Sequence, residues 1–152
     1  MKWDVLQGDI IKHIYAGSRG YGYFYNENNH TDEIQLISPY IVFRVPMFFC
    51  YIAFPPMYKM NVDIIHDYWK NTVAVSPLIG RRVELIKNRP VQIFENAETG
   101  EEIKVDTRLY SKYIEKADQL TFWGTDYRSP VFGINGDSPD RENIVFMVLP
   151  IV

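Results

Sequence analysis

Three short segments of the chain have apolar residues at the spacing of an α-helix. A residue that can cap a helix stands near the start of each: Asp9 in the first, Asn61 or Asp63 in the second, and Asp106 in the third. Gly17 can end the first helix. The predicted apolar faces are Ile10, Ile11, Ile14 and Tyr15; Ile64, Ile65, Tyr68 and Trp69; and Leu109, Tyr110, Tyr113, Ile114 and Ala117. Because helices this short are marginal alone, we expect them to lie on a sheet.

The other apolar positions follow the patterns of β-strands. Two β-rich runs flank a polar turn within residues 21–45, a hairpin is predicted around Glu98-Thr99-Gly100, and residues 120–123 alternate. The last ten residues, NIVFMVLPIV, form a further predicted strand whose ladder should end at Pro150. Its two predicted faces are Ile144, Phe146 and Val148, and Val145, Met147, Leu149 and Ile151. Since both faces are apolar, we expect this strand to be covered on both sides.

The order of these elements predicts an α+β fold. Consecutive strands joined by tight turns indicate an antiparallel sheet, with the short helices packed on one face. The length of 152 residues suits a single domain, 1–152. The repeated order of helix and strands predicts two similar halves, 1–54 and 61–152, joined by a Pro-rich connection, FPPMYKM.

Composition and charge narrow the fold class, the partners and the cellular location that we expect for the protein. Aromatic residues make up 15% of the chain, which favours strands over a helical bundle. The net charge of −3 gives no reason to expect strong attraction to nucleic acid. The apolar stretch Val45–Phe54 is too short to span a bilayer, and Asp4 and Asp9 interrupt any signal peptide. With Cys50 as its single cysteine, taken as a buried small hydrophobe, the chain is expected to be a cytoplasmic domain without a membrane partner.

No residue pattern specifies catalysis, a metal or a cofactor. His13 and His66 lie on the polar sides of predicted helices and His30 lies in an Asn-rich turn, with no metal-binding spacing among them. The glycines of GSRGYGYF, 17–24, follow a helix and precede a strand, the reverse of a nucleotide loop. The carboxylates within 98–102 fit a solvated hairpin turn. We therefore expect no catalytic residue, no metal site and no cofactor.

One stretch is strongly basic. Arg81, Arg82, Lys87 and Arg89 place four positive charges within nine residues, and Glu84 is the only acid among them. Such a cluster can contact nucleic-acid phosphates. The alternation of charged and apolar residues from 82 to 85 also fits an exposed strand with one solvated face, which is the interpretation that the pattern favours.

Four short motifs near the end of the chain occur in an order that is informative. They are VDTRLY (105–110), LTFWG (120–124), SPVF (129–132) and FMVLPI (146–151). In this order and spacing, residues 105–152 resemble the closing segment of bacterial DNA polymerase sliding clamps, the β subunit. In that family a short helix, a strand, a Ser-Pro element and a final strand ending in Met-Pro follow one another. A clamp domain is itself built from two similar halves.

The resemblance implies a function. It points to a non-enzymatic clamp-like module of a DNA replication or mobile-element system, such as a phage, which binds DNA, replication-protein peptides or both, and which can form a homo-oligomer. The family's C-terminal segment lines a hydrophobic groove for short peptides. By position, Met147, Leu149, Pro150 and Ile151 would line this groove, with Leu149 in place of the family's usual Met. The basic stretch Arg81–Arg89 would supply the DNA contacts.

Three other interpretations stay open at this point. The groove candidates can simply close the core sheet. The chain can be a small enzyme whose site is assembled from scattered residues such as His13, His66 and Asp126. It can also be a structural or regulatory protein of a mobile element that kept the fold without clamp activity.

Overall fold

The computed structural model describes residues 1–24, 33–50 and 75–152. The predicted second helix, the connection FPPMYKM, His30 and His66 lie outside the described residues, so these predictions stay predictions.

The first predicted helix is present, but it begins earlier than expected. Helix α1 spans Trp3–Tyr15, so Asp9 lies within it and does not cap its start. Its end is as predicted, because the chain turns at Gly17, which has φ 71°. The buried stripe of α1 is Leu6, Gln7, Ile10 and Ile14, which repeats every three or four residues. The prediction that Tyr15 shares the apolar face is wrong, because this stripe starts at Leu6 and leaves Tyr15 68% exposed.

The sheet confirms the predicted α+β fold. Within the described ranges, nine strands form one antiparallel sheet in the order β1-β2-β3-β9-β8-β7-β4-β5-β6. Strand β3 pairs with β9, so the two predicted halves share one continuous sheet. The strands are β1 Gly22–Phe24, β2 Glu33–Ser38, β3 Ile41–Pro46, β4 Ser76–Ile86, β5 Arg89–Asn96, β6 Glu102–Asp106, β7 Leu120–Gly124, β8 Val131–Asn135 and β9 Ile144–Val148.

Two hairpins shape the β4–β5–β6 end of the sheet. The turn at Glu98-Thr99-Gly100 joins β5 to β6, as predicted. A second hairpin joins β4 to β5 through Lys87 and Asn88, whose φ values of 51° and 62° fit a two-residue turn of the type that suits the twist of strands. This second turn was not predicted, because neither residue is a glycine.

The prediction that the third segment forms an α-helix is wrong. The segment instead forms two 3₁₀ turns, Thr107–Leu109 and Ser111–Tyr113. Tyr110 and Tyr113, three residues apart, both point into the core, which is the spacing of a 3₁₀ turn. The predicted cap is confirmed, since the Asp106 carboxylate accepts a hydrogen bond from the backbone N–H of Arg108 at 3.0 Å.

Two clusters of buried side chains line the two faces of the sheet. The first core cluster holds α1, the 3₁₀ turns and the aromatic rings of Phe43, Phe94, Tyr110, Tyr113 and Phe146. The second core cluster comprises Ile37, Val42, Phe132, Ile134, Ile144 and Met147. Cys50 packs against the first core cluster but is only half-buried, so the prediction of a buried cysteine is wrong; it follows a 3₁₀ turn at the margin of the cluster.

Strand β9 is buried along its whole length, which confirms the predicted cover on both sides for residues 144–148; beyond the strand, Leu149 of the predicted covered face is 40% exposed. The predicted division of its side chains is wrong at two positions: Val145 packs with Phe146 in the first core cluster, and Ile144 packs with Met147 in the second. The cause is a register shift between Gly133 and Ile134 of β8, which leaves one extra residue in β9.

The chain after β9 crosses to a distant part of the sheet. Strand β9 ends at Val148, ahead of Pro150 as predicted. The N–H of Leu149 then donates to the carbonyl of Tyr40 in the β2–β3 turn, and the N–H of Ile151 donates to the carbonyl of Lys104 in β6, each at 2.8 Å. Since β6 is the edge strand furthest from β1, the sheet must curl to bring β6 beside the end of β9.

Candidate functional site

The curl of the sheet forms a cavity between the C-terminal segment, the β2–β3 turn and the first 3₁₀ turn. The cavity has a volume of about 510 Å³. We call it the C-terminal groove; its lining is Tyr40, Arg89, Asp106, Arg108, Leu109, Leu149, Pro150, Ile151 and Val152. Most of this surface is apolar, and two arginines and one carboxylate lie among the apolar side chains.

Two backbone features position the apolar side chains of Tyr40 and Leu149 at the groove. Tyr40 has φ 72°, a conformation that is unusual for a residue other than glycine, and the residue is 67% exposed. Its carbonyl accepts the hydrogen bond from Leu149, whose side chain is 40% exposed. Strained residues that expose large side chains occur often at binding sites. Tyr40 and Leu149 therefore form a preformed apolar surface.

The charges of the groove are only partly compensated. The Asp106 carboxylate accepts from Nε of Arg108 at 3.2 Å and from its Nη2 at 2.9 Å. These hydrogen bonds from Arg108 hold the pKa of Asp106 below its usual value, despite the opposing effect of burial. Arg89 has no ion-pair partner in the part of the chain that the structure describes. The groove therefore offers an apolar surface beside Arg89, a guanidinium that forms no ion pair with the described residues and interacts with Asp106 at longer range.

Three of the four predicted groove residues line the groove. Leu149, Pro150 and Ile151 do so, whereas Met147 is 4% exposed and packs in the second core cluster. Tyr40 was missed as a groove residue, because it lies more than a hundred residues away in sequence and reaches the groove only through the β2–β3 turn. No local sequence signal reports such a contact.

The four basic candidates do not form one surface. Nε of Arg81 lies 2.6 Å from a carboxylate oxygen of Glu95. Nε of Arg82 lies 2.5 Å from Glu84, and its Nη1 lies 3.5 Å from Glu102. The turn at 87–88 then separates these two arginines on β4 from Arg89, which lines the C-terminal groove. Acidic neighbours thus neutralise the charge of β4.

A second, more polar cavity of about 160 Å³ lies beside α1. Among its lining residues, Asp9 accepts from the Tyr113 hydroxyl at 2.8 Å and pairs with Nζ of Lys112 at 2.7 Å. Burial, with the hydrogen bond to Asp9, raises the pKa of Tyr113 to about 12. His13 also lines this cavity, with its ring stacked on Tyr21 at 4.1 Å between centroids. Several side chains that line this cavity therefore already bind one another through a hydrogen bond, an ion pair and a ring stack.

Of the residues named for an enzyme site, His66 lies outside the described residues, and His13 and Asp126 are not brought together. Asp126 does not line the cavity that contains His13. Its carboxylate instead closes the β7–β8 turn, where it accepts from the N–H groups of Arg128 and Ser129 and from the Ser129 hydroxyl, each at 2.9 Å. Within residues 1–24, 33–50 and 75–152, no three His, Cys, Asp or Glu side chains are grouped as a metal site, and no helix is long and apolar enough to cross a membrane.

The chain matches no protein-family model, no curated protein and no solved structure.

Proposed function

We propose that this chain is a non-enzymatic, clamp-like binding module of a DNA replication or mobile-element system, and that its C-terminal groove takes a short apolar peptide. The observation that carries the proposal is the position of Leu149, which stays 40% exposed between the Tyr40 turn and the first 3₁₀ turn although the strand before it is fully buried.

The size of the groove suits a peptide segment. A volume of about 510 Å³ lies within the usual range for a ligand pocket and has room for a few side chains. Tyr40, Leu109 and Leu149 offer aromatic and branched surface for leucine or phenylalanine side chains. Arg89 at the margin can pair with a carboxylate. The peptide we expect has two neighbouring apolar side chains and one acidic residue beside them.

The charge distribution favours a peptide over DNA as the partner. Arg81 and Arg82 pair with Glu95, Glu84 and Glu102, and the net charge of the whole chain is −3. A phosphate backbone would have to displace these carboxylates, which reduces the gain from counterion release. DNA contact through the basic stretch Arg81–Arg89 is therefore the secondary part of the proposal.

The test measures peptide binding by fluorescence anisotropy. The probe is a fluorescein-labelled hexapeptide with adjacent Leu and Phe followed by Glu, and a second probe has Gln in place of Glu. We expect Leu149→Asp to weaken binding of both probes at least tenfold, since it places a charge on the apolar surface. Arg89→Ala should weaken the Glu probe and leave the Gln probe unchanged.

A matched control is Val5→Asp, because Val5 on α1 has a similar exposure of 43% and lies outside the groove. It should bind both probes like the wild type. If Leu149→Asp keeps the wild-type circular dichroism spectrum and melting temperature and still binds both probes unchanged, the groove is not the binding site and the proposal fails.

A further inference from the structure

Strand β4 extends well beyond the strand that pairs with it on one side. It pairs with β7 only through Ser76–Leu78, whereas its pairing with β5 continues to Ile86. Residues 79–86 therefore have β5 on one side and no described strand on the other. Val83 and Leu85 lie on this stretch with 58% and 78% of their surfaces exposed. An open strand edge with exposed apolar side chains is a template for pairing with another chain.

The backbone of this edge is oriented to accept a further strand. Ile86 and Arg89 close the two-residue hairpin, so their backbone groups bond to each other. Because the direction of these groups alternates along a strand, the N–H and C=O groups of Leu85 and Val83 point away from β5. They are the groups that a new strand would meet.

We propose that a second copy of this chain pairs with this edge, β4 against β4 in antiparallel orientation, with Val83 opposite Val83. This arrangement places Arg82 of each copy opposite Glu84 of the other. It also makes Val83 a hydrogen-bonded pair across the two-fold axis, as the direction of its backbone requires.

The charge pattern selects this register. A two-fold axis at Arg82 would set Arg82 against Arg82, and an axis at Glu84 would set Glu84 against Glu84. Like charges directly opposite in a sheet are destabilising, whereas opposite charges stabilise the pair. Only the axis at Val83 satisfies both charged residues at once. A foreign strand without this pattern would gain the backbone hydrogen bonds alone, so the second copy is the better occupant.

The dimer should be weak. A contact between two strand edges is smaller than a standard protein interface, and it competes with the pairing of Arg82 with Glu84 and Glu102 inside each chain. We therefore expect association that depends on concentration between about 1 µM and about 1 mM. This inference is independent of the peptide groove, since none of the edge residues lines it.

The test is sedimentation velocity on charge variants. Arg82→Glu sets carboxylates against carboxylates across the two-fold axis, and Glu84→Arg sets guanidinium groups against guanidinium groups, so each variant alone should stay monomeric where the wild type associates. An equimolar mixture of the two should associate, because every facing pair then has opposite charges. The ion pair inside each chain cannot explain this recovery, since each chain in the mixture still has like charges at positions 82 and 84.

Two further variants complete the test. Lys116→Glu makes the same change of charge at an exposed position outside β4 and should associate like the wild type. Val83→Pro removes an N–H that points away from β5, so the hairpin can keep its ladder while the dimer loses two hydrogen bonds and dissociates. A wild type that is monomeric at about 1 mM, or a charge-variant mixture that stays monomeric, overturns the proposal, as does a foreign peptide that pairs with β4 while the protein itself does not associate.

Discussion

The backbone N–H of Ile151 donates a 2.8 Å hydrogen bond to the carbonyl of Lys104, which joins the end of the chain to the far edge strand of its own sheet. Strands β8, β7, β4 and β5 separate β9 from β6 in the sheet, so this bond exists only because the sheet curls. The bond closes one side of the C-terminal groove. It therefore links the overall shape of the sheet to the site where we propose that a peptide binds.

Removing this hydrogen bond should weaken peptide binding at the groove strongly and lower the stability of the fold only slightly. Ile151→Pro lacks the N–H group, and we expect it to lower the free energy of unfolding by about 1 kcal/mol. We also expect weaker binding of the labelled hexapeptide, measured by anisotropy. The control is Ile151→Val, which keeps the N–H group and an apolar side chain at the same position and should unfold and bind like the wild type. Equal stability and equal binding in Ile151→Pro and in the wild type would show that the bond to Lys104 has no role in the groove.

The close approach of β8 and β9 at Gly133 should make that position intolerant of any side chain. A Cβ atom on Gly133 would collide with the ring of Phe146, which is 0% exposed. Because Phe146 stacks on Tyr110 at 5.2 Å between centroids, it cannot move without disturbing the first core cluster. We expect Gly133→Ala to lower the free energy of unfolding by about 1–3 kcal/mol in urea denaturation.

A matched glycine substitution separates this clash from other effects of alanine. Gly8 lies within α1, and a Cβ atom there meets nothing within 4 Å. Gly8→Ala should raise the free energy of unfolding by about 0.5–1 kcal/mol, since alanine is the better helix former. If Gly133→Ala is as stable as the wild type, the core around Phe146 is looser than the structure shows.

Acid should destabilise the protein through carboxylates that are hydrogen-bonded in the folded state. Hydrogen bonds from Arg108 lower the pKa of Asp106, and hydrogen bonds from the N–H groups of Arg128 and Ser129 and from the Ser129 hydroxyl lower that of Asp126. A group whose pKa is lower in the folded state stabilises the fold above its unfolded pKa of about 4. That contribution is lost as the pH falls through the folded pKa. Urea midpoints should therefore decrease steadily below about pH 4.

The variant Asp106→Asn tests how much of this decrease comes from one group. This substitution removes the charged acceptor of Arg108, so the variant should have a lower free energy of unfolding than the wild type at neutral pH. Below about pH 4, its free energy of unfolding should decrease less than that of the wild type. Asp137→Asn is the control, because Asp137 is exposed and has no ion pair within the described ranges. An identical pH dependence in Asp106→Asn and in the wild type would contradict this role for Asp106.

The parts of the fold that the sequence predicted are those that local patterns determine. The apolar runs on both faces of β9 predicted its complete burial, and the Asp106 cap and the turn at Glu98-Thr99-Gly100 follow from the preferences of a few neighbouring residues. The errors come from tertiary packing. Two tyrosines that point into the core turned the third helix into 3₁₀ turns, and one register shift exchanged the faces of Ile144 and Val145.

The candidate site was predictable only on one of its sides. Leu149, Pro150 and Ile151 are adjacent in sequence, so the resemblance to a family's final segment could indicate all three together. Tyr40 lies in the β2–β3 turn, and its carbonyl accepts a hydrogen bond from the N–H of Leu149. This contact depends on how strongly the sheet curls, which the periodicity of a sequence does not predict. The ion pair between Arg81 and Glu95 likewise depends on how β4 pairs with β5, which the undetected turn at 87–88 and a register shift between Gly80 and Arg82 set together.

Tyr40 allows stability and binding to be separated by a single substitution. Its φ of 72° is costly for tyrosine, whereas asparagine adopts this conformation more readily. Tyr40→Asn should therefore keep the free energy of unfolding or raise it by up to about 1 kcal/mol. It should also weaken binding of the hexapeptide, because the ring is lost from the groove. Thermal unfolding and anisotropy on the same preparation measure the two effects.

The matched control is Tyr127→Asn, which removes another exposed tyrosine ring, 42% accessible, that does not line the groove. Its peptide affinity should equal that of the wild type. A Tyr40→Asn protein that binds the peptide as tightly as the wild type would mean that the ring of Tyr40 makes no contact with it. A Tyr40→Asn protein that loses stability and affinity together would instead mean that the ring supports the β2–β3 turn, and that the strained backbone is not there to present it to a ligand.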